Sequence, residues 1–567
     1  MPDAAATFST ALVAALADLG LGDVCISPGS RNTSLTLAFA ARHGIRDWSH
    51  HDERSAGFFA IGLARASGRP VALVCTSGTA AAEYHPAVVE ALQSRTPLLV
   101  LTADRPPELR DVGAPQTIDQ VKLYGDHVKW SHSAAPPDAA AIAAAPSLAA
   151  HAWGEAMESP AGPVHLNLPF REPLVPLAGA PARPAVVTAP PRTPQVATGV
   201  RIPDDATVAK LDRILAGRTA LFVVGALADD AAAHAVDALA TTLGAVVFAD
   251  PQSGLRFGGH SSTIVATADL LATAGALDAD PPEVVVRWGG LPTSKPVWRW
   301  LETRPDVTQV LIDPGGHREP LGTATLVVRC DVAATAARIS TPGAPARWAD
   351  DWRRRDTAAR NSLETALGDE RFPTAPAVAR IVAAACPQDA VLFAGSSMPI
   401  RDVDVFADAR SLPLTVVANR GASGIDGSIS TALGIAAAGR RCVALIGDVA
   451  ALHDLGALAT MARLRLPLTV VVVNDDGGGI FELLPQADPG RIDRDVFERH
   501  IATPHGLDFA AIAAALGVPG RRIDDAEELT EAVAANGPQL IEVRTDRRRL
   551  ADLHRKLRTA VAAGLGG

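Results

Sequence analysis

Short β-branched apolar runs recur along the whole chain. Each closes on Gly, Asp, Ser or Thr, and Ala-rich stretches of helical period separate them. The runs fall at residues 24–27, 71–75, 98–102 and 164–168, then at 220–224, 245–249, 283–288, 309–313 and 326–330. Five more fall at 391–394, 415–418, 442–446, 468–473 and 539–543. Nearly continuous apolar strands with helices between them predict parallel sheets covered on both faces. The strict alternation makes the chain α/β, with three doubly wound units. Proline-rich, aperiodic residues 173–203 read as one linker, and the stretch from Ser340 through Pro345 into a charged segment as another. The expected domains are therefore 1–185, 186–350 and 351–567. Ligands of open parallel sheets bind beyond the carboxyl ends of the strands, so the residues after each run are where chemistry is expected.

Composition narrows the function classes. At 567 residues there is room for about three domains. An apolar share of 48% against 20% charged excludes disorder as the main state. The formal charge of -10 argues against a nucleic-acid surface, so an anionic substrate must be met by locally placed arginines. Five cysteines stand singly, without a Cys-x-x-Cys pair. That pattern speaks against a disulfide framework and for a reducing compartment. With no basic leader and no apolar stretch of ~20 residues, a cytoplasmic protein without stable membrane insertion is expected.

The strand ends carry the chemistry. The run 442–446 closes on Gly447-Asp448-Val449-Ala450, and the run 468–473 on Asn474-Asp475-Asp476-Gly477-Gly478-Gly479-Ile480-Phe481. Asp448 and Asp475 stand 475 − 448 = 27 residues apart, the length of one strand-helix-strand crossover. Two carboxylates at adjacent strand ends, with glycines freeing nearby carbonyls, suit a hard divalent cation that holds a phosphate. Gly447-Asp448 alone would pass for a turn and helix cap; the spacing of the pair argues for a site. His51-Asp52-Glu53-Arg54 opens a helix, where an acidic first turn is favoured by the helix dipole in any case. Other loops after strands hold Ser30-Arg31, Thr76 to Ala80, Arg105 with the segment to Gln116, Ser396-Ser397-Met398 with Arg401, and Arg420 with Gly424-Ile425. His51, His85 and His453 lie near these segments and are read as structural.

The Gly447-Asp448 and Asn474-Asp475 pair resembles the thiamine-diphosphate motif Gly-Asp-Gly followed by Asn-Asn, departing from it at Val449 and Asp475. The order and spacing of all the segments, reaching the middle domain through Pro292-Thr-Ser-Lys295, closely resemble the 2-succinyl-5-enolpyruvyl-6-hydroxy-3-cyclohexene-1-carboxylate synthase family of menaquinone biosynthesis. The resemblance implies a transferase that decarboxylates 2-oxoglutarate and adds the resulting carbanion to isochorismate. It implies thiamine diphosphate with Mg2+ (or Mn2+) held by Asp448, Asp475 and the Gly477 carbonyl, and Glu53 as the catalytic activator. Further cofactor contacts are expected from Ser396, Ser397, Met398, Gly424, Ile425, Gly447, Val449, Ala450, Gly478, Ile480 and Phe481. Substrate contacts are expected from Ser30, Arg31, Arg105, Gln116, Lys295, Ser397, Arg401, Arg420 and Leu484. The family's half-sites meet across a subunit interface, which implies a homodimer or homotetramer. Glu83 stands where Asn is expected and receives no role. Alternatives are another thiamine-diphosphate 2-oxoacid decarboxylase or carboligase, or a non-catalytic ligand-binding relative. A flavin-using member would need a Gly-x-Gly-x-x-Gly in the middle domain, which has none.

One feature stands outside this scheme. Arg287 sits near the end of the apolar run 283–288, just before Gly289-Gly290, with Arg304 following and Arg95 as a further candidate. A charge there is costly unless paired. It is expected either to salt-bridge a neighbouring carboxylate or to form, with the other two arginines, a regulatory anion site.

Overall fold

The computed structural model describes residues 4–175, 192–260, 263–535 and 537–565. The expected boundary at 185 lies outside the described residues. Within them, eighteen strands form three parallel six-stranded sheets. The first sheet contains β1 (Asp23–Ile26), β2 (Arg46–Ser49), β3 (Val71–Cys75), β4 (Leu98–Asp104), β5 (Trp130–Ser133) and β6 (Pro163–Pro169), in the order β2-β1-β3-β4-β6-β5. The second contains β7 (Ala220–Val224), β8 (Val246–Ala249), β9 (Thr263–Ile264), β10 (Val284–Trp288), β11 (Thr308–Ile312) and β12 (Leu326–Val328), in the order β12-β11-β10-β7-β8-β9. The third contains β13 (Val391–Ala394), β14 (Thr415–Val417), β15 (Cys442–Gly447), β16 (Leu468–Asn474), β17 (Gly520–Arg522) and β18 (Gln539–Arg544), in the order β14-β13-β15-β16-β18-β17. The outer sheets thus share one strand order, and each reverses direction between its first and third strands. The middle sheet has the dinucleotide-fold order, which reverses between β7 and β10.

The chain falls into two compact units. The first joins Met1–Gly199 to two later pieces, Asn419–Arg440 and His453–Leu466. Its sheet is buried between helices, with Val24, Ile26, Val74, Leu101 and Leu166 in the core. The helix Glu53–Ser67 starts where Asp52 accepts the Ser55 N–H, and stops at Gly68 in the left-handed region. It is buried from Ser55 to Ala64, because the helix Ser428–Ala437 packs on it. The two backbones nearly touch. A Cβ on Gly62 would lie 2.0 Å from Thr431 O, and one on Gly434 2.0 Å from Phe59 O. Gly427, with φ +62°, brings the later helix against the face of Phe58, where any side chain would collide with the ring.

The second unit holds the other two sheets. One of its apolar clusters packs Leu221, Val223 and Val285 of the middle sheet with Trp348 and Trp352 of the helix Arg347–Gly368. Phe406 and Leu557 belong to it too. At the reversal point of the middle sheet the backbone closes on itself. Gly290 N–H donates to Ala226 O at 3.3 Å, and a Cβ on Gly225 would lie 1.9 Å from Gly290 O. Among the described residues no helix is long and apolar enough to cross a membrane.

Candidate active site

In the second unit β15 pairs with β16 in register, Gly447 opposite Val473. Asp448 and Asp475 therefore leave neighbouring strands at the same end of the sheet. Asp448 opens the short helix Asp448–His453 and is buried; its Oδ1 accepts the Val449 N–H at 2.7 Å. Its Oδ2 accepts the Gly477 N–H at 2.9 Å and faces His505 Nε2 at 3.0 Å. Burial raises the proton affinity of Asp448, while the Gly477 N–H and His505 oppose the rise. Asp475 is pushed up as well, by burial first and by Asp448 second. Two carboxylates that resist ionising side by side are the donor set a divalent cation satisfies. Among the described residues no group of three or more His, Cys, Asp or Glu is arranged to hold a metal ion by itself. The remaining oxygens would then come from the main chain and the diphosphate; the Gly477 carbonyl accepts the Gly479 N–H at 3.0 Å and keeps a second lone pair. Gly477 adopts φ +129°, and a Cβ there would lie 2.2 Å from Ala502 O, so only glycine fits. The residues present therefore fit a metal-diphosphate group.

The reversal point of this sheet lies between β13 and β15, and Ser396, Ser397 and Met398 follow β13 there. Ser396 and Met398 are buried, and Ser397 adopts φ +74° at the start of the helix Met398–Phe406. Met398 shares a small apolar cluster with Ala375 and Leu550, against which Ile480 and Leu483 pack. Phe481 covers Gly478, where a Cβ would lie 2.5 Å from its ring. Leu484 follows, half-buried, at the end of the same turn. Arg401 folds back and donates to Ser397 O. The loop carrying Ile480, Phe481 and Leu484 is held by charges that sequence reasoning missed. Arg547 pairs with Glu482 at 2.9 Å and with Glu498, and Arg494 pairs with both glutamates at 2.7 Å. Lys295 is exposed at the first turn of the helix Lys295–Thr303. The approach to it is fixed by Asp250, which accepts the Thr293 N–H at 2.7 Å, and by Asp269, which accepts Ser294 Oγ–H at 2.8 Å.

The first unit holds Glu53 and the arginine loops. Glu53 is half-buried, and burial raises its proton affinity, with Asp52 and Glu83 adding to the effect. Its helix turn is anchored by partners the sequence did not reveal. Arg54 donates to His453 O at 2.9 Å, and Ser55 Oγ donates to Asp454 Oδ1 at 3.4 Å. Asp454 also accepts Ser430 N–H at 2.7 Å and Ser430 Oγ–H at 2.9 Å. Arg31 is buried, donates to Phe170 O at 2.9 Å and pairs with Glu172 at 3.3 Å. Burial and the nearby Arg105 lower its proton affinity, so the two cations lie close together. Arg105 donates to Ser77 Oγ, and Gln116 Nε2 donates to Ser77 O at 2.8 Å, which brings both to the loop after β3. Ser30 is exposed in the loop after β1. Arg420 heads a loop clamped by buried Glu90, which accepts the Gly421 and Ala422 N–H groups at 3.0 and 2.7 Å. Gly424 and Ile425 follow in the same loop, half-buried.

Arg287 is buried and pairs with Glu319, while Arg304 binds Asp306 at 2.8 Å. Arg95 belongs to the other compact unit and engages a partner of its own. The salt bridge that was one of the two expectations for Arg287 is therefore present.

Both ends of the chain match one enzyme class. Residues 6–123 match the family "Thiamine pyrophosphate enzyme, N-terminal TPP binding domain", and residues 404–543 match "Thiamine pyrophosphate enzyme, C-terminal TPP binding domain". Benzoylformate decarboxylase from Polynucleobacter necessarius has the same fold, with a TM-score of 0.70 at 17% identity over 95% of this chain and 98% of that one. The protein is thus a thiamine-diphosphate enzyme. Curated 2-succinyl-5-enolpyruvyl-6-hydroxy-3-cyclohexene-1-carboxylate synthases are much more similar in sequence. The one from Geobacillus kaustophilus is 42% identical over 99% of both chains, and the one from Chloroflexus aurantiacus 42% identical over 98% of this chain and 96% of its own. The chain belongs to that synthase family.

Proposed function

We propose that this chain decarboxylates 2-oxoglutarate and joins the remaining fragment to isochorismate, as a cytoplasmic step of menaquinone biosynthesis. The single observation that carries the reading is the pair of aspartates at the ends of β15 and β16, Asp448 buried and Asp475 half-buried, set in a chain of this family. Thiamine diphosphate, when bound, supplies the electron sink that accepts the pair released with CO2. Asp448, Asp475 and the Gly477 carbonyl hold Mg2+ or Mn2+ on the diphosphate. Glu53 keeps a proton on its carboxyl oxygen for the aminopyrimidine N1', a task its raised proton affinity suits. Ile480, Phe481 and Leu484 exclude water where the carboxylate departs. Arg31, Arg105 and Gln116, with Ser30, Lys295 and Arg401, bind the carboxylates of isochorismate, and Arg420 those of 2-oxoglutarate. Bidentate guanidinium pairing is the device for such substrates. The active form is a homodimer or homotetramer in which Glu53 of one chain serves the metal site of another.

The test is CO2 release from 2-oxoglutarate with thiamine diphosphate and Mg2+, with and without isochorismate, and mass analysis of the product. Release without a joined product overturns the substrate assignment. Glu53→Gln should lower turnover by about 10²–10⁴-fold; near-parent turnover discards its role. A mixture of Glu53→Gln and Asp448→Ala chains should regain activity if sites are shared between chains, and stay inactive if they are not.

A further inference from the structure

His505 lies 57 residues beyond Asp448, outside every motif that pointed to the site. Its side chain is only 10% exposed, and its ring meets Phe509 edge-on with centroids 5.6 Å apart. Its loop is fixed by Asp476, whose Oδ1 accepts the His505 and Gly506 N–H groups at 2.9 and 2.7 Å. The Leu507 N–H donates to His505 Nδ1 at 3.0 Å. A ring nitrogen that accepts a hydrogen bond carries no proton, so in the neutral ring the proton sits on Nε2. Nε2–H therefore donates to Asp448 Oδ2 at 3.0 Å.

That bond has a consequence for the carboxylate. Each carboxylate oxygen offers two acceptor positions. Oδ2 uses both, for His505 Nε2–H and the Gly477 N–H. Oδ1 uses one, for the Val449 N–H, and keeps the other.

We propose that His505 is a positioning residue of the metal site: by filling Oδ2 it presents Asp448 to the cation through Oδ1 alone. It thereby sets the affinity for the divalent ion and, through the ion, for the diphosphate. The inference rests on the reading of Asp448 as a metal ligand. Partners that orient a ligand in this way typically contribute about 10–100-fold in metal affinity.

The experiment titrates Mn2+, followed by its paramagnetic resonance, into parent and variants with thiamine diphosphate present, alongside thermal scans of the apoproteins. His505→Asn keeps an oxygen that can accept the Leu507 N–H but has no donor that reaches Asp448, whereas the longer His505→Gln restores that donor. We expect His505→Asn to weaken Mn2+ by about 10–100-fold, and His505→Gln to stay within about 3-fold of the parent. Parent-like affinity in His505→Asn overturns the proposal. So does equal weakening in both variants when both apoproteins melt like the parent. Asp448→Ala tests the underlying reading separately: unchanged Mn2+ binding there removes the metal assignment itself, while loss there with intact binding in His505→Asn removes only the role of His505.

Discussion

Gly62→Ala should damage both stability and turnover, because the helix it disturbs begins with Glu53. An added Cβ would lie 2.0 Å from Thr431 O and 2.9 Å from Ile435 N. Ordinary contact begins near 3.4 Å, so the helices must part locally by 3.4 − 2.0 = 1.4 Å. The obstructing atoms are backbone, and no rotamer change relieves them. Overpacking of this kind costs about 1–3 kcal/mol, and the clash here belongs at the upper end. Alanine's better helix propensity offsets about 1 kcal/mol. A net loss of about 2 kcal/mol corresponds to a midpoint about 4–8 °C lower for a unit of this size. A displacement of about 1 Å at a catalytic group can cost about 10²-fold in rate. Thermal scans and kcat on the same preparations measure both effects, with Gly22→Ala, whose Cβ meets nothing within 4 Å, as the control. Gly434→Ala should behave like Gly62→Ala. The double variant should lose less than the sum, since the first substitution opens the gap for the second. Parent-like melting and turnover in Gly62→Ala would refute the close-crossing argument.

Two further outcomes concern pH. Burial, with Arg463 and His51 adding to it, holds the His50 ring down to about 3, and neither ring nitrogen has a hydrogen-bond partner among the described residues. The unfolded ring titrates near 6.5, so His50's contribution to stability is full above that pH and is lost as pH falls toward about 3. His50→Phe should therefore gain about 1 kcal/mol on the parent between pH 6.5 and 5.5 in denaturant titrations, and parallel pH profiles would contradict this. Asp454 is fully buried, and burial pushes its carboxyl up to about 6. Its contribution is full below about 3.9 and is lost as pH rises through about 6, in total about 3 kcal/mol. Asp454→Asn keeps an oxygen for the Ser430 N–H, and its amide can donate to rotated serine hydroxyls. It should overtake the parent between pH 4 and 7; a constant difference would refute the shift.

Every apolar run singled out along the sequence is a strand, with ends displaced by at most two residues. The strands that went unread are β2, β5, β9 and β17, and all four are sheet edges. An edge strand pairs on one side only and needs no continuous apolar run; β2 reads Arg-Asp-Trp-Ser and is largely exposed. The placement of Asp448 and Asp475 at adjacent strand ends was legible from their crossover spacing, since β15 and β16 are neighbours. His505, Asp454, Glu90 and Arg547 were not legible. Each acts through partners at least 24 residues away in sequence, and no local pattern encodes such a pairing. Nor did periodicity show that the helices Ser428–Ala437 and Gly456–Leu464 join the first unit, because helix-on-helix burial looks alike whichever partner supplies the other face.

The middle sheet has the strand order that elsewhere opens a crevice for a dinucleotide, but here the loops after β7 and β10 are stitched together through Gly225, Ala226 and Gly290. The loop that would have been a receptor serves as a bracket: one end seals the sheet, and the other, pinned by Asp250 and Asp269, carries Lys295. Engineering the middle domain to accept a nucleotide would thus mean recutting backbone rather than repainting side chains. Substitutions at Gly225 or Gly289 should register as loss of fold, and only those beyond Thr293 as loss of substrate affinity.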